Sequence, residues 1–267
     1  METQQNLFDI GIKSDTGKVR KVNQDNCFSR WNFPLPGQGV WIVADGMGGH
    51  ESGGLASDMV ISLVPEALKR GMSLEQAIEL AHQKILAAAQ SEHQSRPMGS
   101  TVVVAHCIGA KYHIAWVGDS RAYVFSEKGI FNEKAGLQRL SHDHSFVQQL
   151  LDVGAINEEE ARVHPQRNVI TQSLGGSTNG TIRVDSLDGE LQNGQWLLLC
   201  SDGLTNELDD KNIDELLNSA LSAQVVAEQL VARANEHGGR DNVTVILLKY
   251  LGEHAREGEG EGEGGKR

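Results

Sequence analysis

Three cysteines, Cys27, Cys107 and Cys200, are all the thiols this 267-residue chain has. The count is odd, the spacings are wide, and each lies in or beside an apolar run. A disulfide framework and a CxxC zinc or redox pair are both excluded, and reduced, mostly buried thiols are expected. No apolar run approaches the roughly 18 residues of a membrane span. The opening residues, Met1-Glu2-Thr3-Gln4-Gln5, have neither a basic nor an apolar leader pattern. A soluble, cytoplasmic protein is therefore expected, with no membrane partner. Positive charge is also scarce: 24 Lys and Arg face 36 Asp and Glu, a formal net charge of −12. Such a surface gains nothing from phosphate-backbone electrostatics, so nucleic acid is not expected as a partner.

Several catalytic signatures are missing as well. None of the three cysteines has Arg at the sixth following position, which excludes the C-x5-R loop of thiol phosphatases. No G-x-S-x-G elbow is present for a serine hydrolase. Gly46-Met47-Gly48-Gly49 fits neither a P-loop nor a G-x-G-x-x-G fingerprint. His142-x-His144 has a metal-like look but reads as a polar loop.

Apolar residues make up 39% of the chain, enough for one large core. No linker divides the interior, so residues 1–252 are expected to form a single catalytic domain. Residues 253–267, EHAREGEGEGEGGKR, alternate Glu and Gly and hold almost no apolar surface; a disordered acidic tail is expected there. No internal repeat is visible.

Apolar patterning predicts strands over 7–12, 40–44, 101–107, 112–117, 121–125, 196–200 and 243–250. Helices are predicted over 54–70, 145–153, 158–162, 210–221 and 224–236. One more starts at Ser73, three residues before Gln76 in a capping-box arrangement, with Ala77, Ile78, Ala81, Ile85 and Ala88 on one face. Gly238 and Gly239 are expected to stop the last helix. Many strands with helices inserted in pairs imply an α+β layered domain, with largely antiparallel sheets stacked between helix pairs.

Four aspartates stand at predicted strand ends. Asp45, Asp119 and Asp202 follow apolar runs and are expected at C-terminal strand edges; Asp241 precedes one and is expected at an N-terminal edge. If the last strand pairs antiparallel with 196–200, Asp202 and Asp241 share one rim. Like charges gathered there would repel unless a cation lies between them. Hard oxygen ligands without nearby His or Cys favour Mg²⁺ or Mn²⁺ over zinc. Such a cation would also resolve how an acidic protein handles phosphate. Glycine after the aspartate, as at Gly46 and Gly203, lets the chain turn sharply and can bring a carbonyl to the ion. Arg20 is a candidate bidentate phosphate clamp. Asp25, five residues on, is a candidate for orienting water from behind the metal ligands.

These residues fall in motifs. Ser14-Asp15-x-Gly17-x-x-Arg20-x-x-Asn23-Gln24-Asp25 comes first, then Ala44-Asp45-Gly46-Met47-Gly48-Gly49-His50 and Gly118-Asp119-Ser120-Arg121. Asp143-His144-Ser145, Ser201-Asp202-Gly203-Leu204 and Asp241-Asn242-Val243-Thr244 follow. In this order the set resembles the bacterial branch of the type 2C metal-dependent protein phosphatases, over residues 9–249. The resemblance implies a four-layer α-β-β-α sandwich with metals in a cleft at one end. It implies that Asp45 bridges two ions, that Gly46 gives its carbonyl to one, and that Asp202 and Asp241 bind the other. Asp119 with Asp202 would hold a weaker third ion, and Asn242 would support the ligands from behind. A flap over roughly 152–170 would help choose substrates. The eukaryotic branch has His directly after the Asp-Gly; here that position is Met47, with His50 three residues on as a possible assistant. The implied reaction is hydrolysis of phosphoserine and phosphothreonine on proteins by a water activated between two ions. It would reverse the action of a serine/threonine kinase, and a monomer is expected.

Overall fold

The computed structural model describes residues 7–48, 52–90, 98–127, 135–176, 181–219 and 221–252. The chain begins with β1 (Phe8–Asp15), β2 (Asp25–Trp31) and β3 (Gln38–Gly48), followed by the helices α1 (Ser52–Lys69) and α2 (Leu74–Ala89). A strand block comes next: β4 (Met98–Ser100), β5 (Val102–Ile108), β6 (Lys111–Val117), β7 (Arg121–Ser126) and β8 (Gly136–Arg139). Then come α3 (Phe146–Asp152), α4 (Glu158–Val163), β9 (Asp185–Glu190), β10 (Trp196–Cys200), α5 (Asp202–Thr205), α6 (Asp210–Leu217), α7 (Ala223–His237) and β11 (Val243–Tyr250).

The strands form two sheets, in the orders β1-β11-β10-β7-β8 and β2-β3-β5-β6-β9, with short β4 added to β3. Every recorded pairing is antiparallel. Alternation along the strands decides which layer each side chain joins. On β3, Val40, Ile42 and Ala44 pack with Val60, Val64, Ile78 and Ile85 of α1 and α2. Trp41 and Val43 point the other way and meet Leu197, Leu199, Ile246 and Leu248 of the opposite sheet. On that sheet's outer face, Leu198, Val245 and Leu247 pack against Ile213, Val226 and Leu230 of α6 and α7. The expected four layers are thus α1/α2, sheet, sheet, α6/α7. Each fully buried Leu, Ile or Val of the central layer contributes about 1.5–3 kcal/mol by burial.

The helix ends follow their caps. Ser73 Oγ accepts from Gln76 N at 3.3 Å and Gln76 Oε1 accepts from Ser73 N at 3.0 Å, the expected reciprocal box. After α7, Gly239 N donates to Ala234 O at 3.1 Å, with Gly239 in the left-handed region at φ 56°, as the two glycines require. The helix predicted over 210–221 ends earlier, at Leu217, because Asn218 Nδ2 turns back onto Asp214 O at 2.9 Å. A second correction concerns Asp45. The strand carrying it does not stop there but runs on to Gly48, exchanging β5 for β4 as its neighbour.

Candidate active site

Antiparallel pairing brings the site together at one end of the sandwich. Cys200 lies opposite Val245, so the turn after β10 and the turn before β11 share a rim. Asp202 opens α5 on the first turn and Asp241 lies on the second. A Cβ on Gly203 would fall 1.9 Å from Asn242 O, so only glycine lets the two turns touch. Asp119 comes to the same rim from the β6–β7 connection, after Gly118 at φ 107°. A Cβ on Gly118 would lie 2.7 Å from Thr101 Cγ2.

Asp45 enters from the other sheet, directly opposite Asp25 on β2. Its N–H donates to Thr101 Oγ1 at 3.0 Å and its carbonyl accepts from Thr101 N at 2.8 Å. Asp25 is buried, and its Oδ2 accepts from Ser201 Oγ at 2.7 Å and Thr244 Oγ1 at 2.8 Å. Asp25 thereby ties β2 to the two strands that lead to Asp202 and Asp241. Gly46 O lies 2.7 Å from where a Cβ on Gly53 would stand, at the start of α1.

Electrostatically the rim is strained. Burial first, and then the charges of Asp202 and Asp241, push the Asp25 carboxyl up to about 7. Burial and the neighbouring Asp241 raise Asp202 to about 6, partly offset by Asp45 and by the hydrogen bond from Asn206. Asp45 is raised well above the carboxylate range by burial and by Asp25, Asp202, Asp119 and Asp241. Asp119 is raised well above it by burial and by Asp202 and Asp143, with Arg121 working against the shift. One oxygen each of Asp25, Asp119 and Asp202 is buried without a hydrogen-bond donor. Among the described residues no three carboxylate, His or Cys side chains close round a single ion-sized point. What the structure holds is a rim of mutually repelling carboxylates with acceptor oxygens to spare, a donor set that fits hard divalent cations.

Arg20 reaches this rim from the loop between β1 and β2. Its Nη2 donates to Asp241 Oδ2 at 2.7 Å, with half of its side chain exposed. Asn242 fixes that loop: its Nδ2 donates to Thr16 O at 2.9 Å and Val22 O at 3.0 Å, and its Oδ1 accepts from Gln24 N at 2.8 Å. Asn242 therefore supports the loop that carries Arg20. His50 lies outside the described residues, as do residues 253–267; Met47 pairs with Gly99 on β4.

A cleft of about 360 Å³ runs from Asp119 and Asp202 towards Arg162 and Arg167 of the 152–170 segment. That segment contains α4, started by an Asn157–Glu160 capping box and joined to α6 by Arg162 Nη1 at 3.8 Å from Asp209 Oδ2. One feature escaped the sequence reading. Asp143 is buried and receives a fork from Arg121 (Nη2 at 2.7 Å, Nε at 3.0 Å) with Arg139 also paired to it. Asp143-His144-Ser145 stood out as a motif, but nothing in it revealed its arginine partners. His142 and His144 do not act together: His142 Nε2 pairs with Asp152, while His144 Nδ1 accepts from Gly118 N.

A two-sheet sandwich between helix pairs with carboxylates crowded at one end defines a class of metal-dependent phosphatase folds. The chain belongs to the protein phosphatase 2C family, whose sequence model matches residues 17–236, and its enzyme class is protein serine/threonine phosphatase. It is 36% identical over 248 residues to the serine/threonine phosphatase stp of Listeria monocytogenes, covering 89% of this chain and 94% of that one. It is 35% identical over 257 residues to protein phosphatase PhpP of Streptococcus pneumoniae, covering 93% and 100%. Among solved structures it is similar to the serine/threonine phosphatase of S. agalactiae, with a TM-score of 0.80 and 33% identity over 91% of this chain and 99% of that one.

Proposed function

We propose that this protein hydrolyses phosphoserine and phosphothreonine on other proteins using two divalent ions, Mn²⁺ or Mg²⁺, held at the acidic rim. The observation that carries the reading is the set of buried, donor-less oxygens on Asp25, Asp119 and Asp202 beside Asp45 and Asp241, a clustering that bound cations would relieve. A similar structure, the catalytic domain of the phosphatase PstP (28% identity, TM-score 0.76), is in complex with two manganese ions. Asp45 and the Gly46 carbonyl would hold one ion, Asp45 with Asp202 and Asp241 would hold the other, and Asp119 with Asp202 would hold a weaker third. Such ions supply an acidified water and neutralise phosphoryl charge.

The chain's own residues do the rest. Arg20 is half exposed at the rim and presents its guanidinium to the non-bridging phosphoryl oxygens, keeping them in line for attack. Asp25 stands opposite Asp45 and, held by Ser201 and Thr244, would orient the attacking water from behind the metal ligands. Asn242 keeps the Arg20 loop in register. The cleft beneath the 152–170 segment receives the polypeptide flanking the phosphorylated residue. Its physiological substrates are phosphoproteins of a serine/threonine kinase system, met by a monomer in the cytoplasm. No helix among the described residues is long and apolar enough to cross a membrane.

The test is turnover of para-nitrophenyl phosphate and then of a phosphothreonine peptide, with EDTA and with Mn²⁺ added back. EDTA is expected to abolish both activities and Mn²⁺ to restore them. Turnover that survives the chelator would sink the reading.

A further inference from the structure

The short helix α5 carries Asp202 and the loop after α7, from Gly238, carries Asp241, both just beyond the last rung of the β10–β11 ladder. Past that rung a carboxylate joins them. Glu207, just beyond α5, has a side chain only 1% exposed. Its Oε1 accepts from Arg240 Nε at 2.9 Å and from Arg240 N at 3.0 Å, and its Oε2 accepts from Arg240 Nη2 at 2.9 Å. His237 Nδ1 approaches Glu207 O at 3.2 Å. The fit leaves no slack: a Cβ on Gly238 would lie 2.8 Å from Glu207 Oε2. The same loop holds the arginine clamp's backbone, because Gly239 O accepts from Lys18 N at 2.7 Å and Val19 N at 3.2 Å.

Three site groups therefore hang on one fork. On α5, Asn206 Nδ2 holds Asp202 Oδ2 at 2.8 Å, and Glu207 is the next residue along. On the loop, Arg240 immediately precedes Asp241, so its backbone and guanidinium are fixed to the same carboxylate. A buried acid that accepts a planar two-pronged donor and an adjacent N–H allows one relative placement of the two segments. Glycine-rich loops lack such rigidity of their own.

We propose that Glu207, forked onto Arg240, is a positioning residue that sets the separation of Asp202 and Asp241 and so the affinity of the cation they share. The inference rests on the proposed metal-dependent reading of the rim. Glu207 stands at the wall of the cleft beside Asp202, but both of its carboxylate oxygens are taken up by Arg240, so it acts through the loop. Lysine in place of Arg240 keeps the charge and loses the fork. Glutamine in place of Glu207 keeps the shape and loses the charge.

The experiment uses the full chain with Mn²⁺ as the probe. Mn²⁺ binding is measured by calorimetry, metal-free Tm by thermal melting, and kcat on a phosphopeptide at saturating Mn²⁺, for the wild type, Glu207→Gln and Arg240→Lys. Both variants are expected to bind Mn²⁺ about tenfold more weakly. Their metal-free Tm should stay within about 3 °C, and kcat at saturating Mn²⁺ within about twofold of the wild type. Wild-type Mn²⁺ affinity in both variants would overturn the proposal. So would weakening that appears only with a metal-free Tm lowered by about 10 °C or more, or a kcat that saturating Mn²⁺ does not restore. If Glu207→Gln fails to fold, the surface variant Arg240→Lys decides. A wild type that binds no Mn²⁺ would instead refute the underlying metal reading.

Discussion

The two ends of the sandwich are built from the same strands and behave oppositely. At one end Phe8 meets Trp31, Trp41 and Tyr250, with ring centroids 5.6, 5.5 and 5.4 Å away, and Trp31 stacks on Trp41 at 6.2 Å. At the other end the strands deliver Asp25, Asp45, Asp202 and Asp241 to a rim where burial and neighbouring carboxylates raise the proton affinity of Asp25, Asp45 and Asp202. β1 runs from Phe8 to Asp15, β2 from Asp25 to Trp31, and β11 from Val243 to Tyr250, so each contributes to both ends. The aromatic end gains from every contact, through buried area and ring geometry. The acidic end costs stability in the absence of cations and exists for its chemistry. Stability is stored where no catalysis occurs, which lets the rim tolerate its repulsion.

The largest expected break in this contrast is at the acidic end. Asp202→Asn should lower kcat/KM on a phosphopeptide by about 10³-fold or more. Its metal-free Tm should hold or rise, since one of the repelling charges is gone. Activity near wild type would show that Asp202 does not serve the reaction. The reciprocal variant is Phe8→Ala, which should cost about 3–5 kcal/mol in urea denaturation by opening a cavity among three rings. The Mn²⁺ affinity of the folded fraction should stay within about twofold of the wild type. A large loss of metal affinity would mean the two ends are coupled.

The smallest effect comes from pH. Asp25 at about 7 and Asp202 at about 6 stand above the roughly 3.9 of an unfolded Asp. Between about pH 4 and pH 7 the folded protein retains protons that the unfolded chain has lost, so stability falls as pH rises through that window. Below it both states are protonated; above it the full penalty is present. Metal-free thermal melts should therefore lose about 5 °C between pH 5 and pH 7.5. Saturating Mn²⁺ should remove or reverse the slope. A metal-free Tm that climbs over the same range would contradict the raised affinities.

Much of this was legible in the amino-acid order. Apolar runs such as Trp196–Cys200 and Val243–Tyr250 announced buried central strands, and the Ser73–Gln76 box announced α2. The elements that went unread were β2, β8 and β9, along with short β4 and the one-turn helix α5. β2, β8 and β9 are sheet edges. β9, Asp185–Glu190, alternates half-buried and exposed positions and has no apolar run to read; pairing with β6 makes it a strand. At the site, Asp119, Asp202 and Asp241 stand just outside strand ends, where the apolar runs put them, whereas Asp45 lies within β3, which runs on to Gly48. The Asp143 pairing with Arg121 and Arg139 was not legible, because an arginine's partner is not encoded in its neighbours.

By itself the sequence determined the layers, since a period-2 pattern assigns each side chain to one face of a sheet wherever the strand lies. It also determined which oxygen-bearing residues stand beside those strands. Tertiary structure alone decided who meets whom. Arg20 reaches Asp241 across 221 positions and Thr244 reaches Asp25 across 219. Burial then set the proton affinities of the rim. Local order fixes what a side chain is and which way it faces; only chain folding brings distant charges within a few ångströms and removes the water between them.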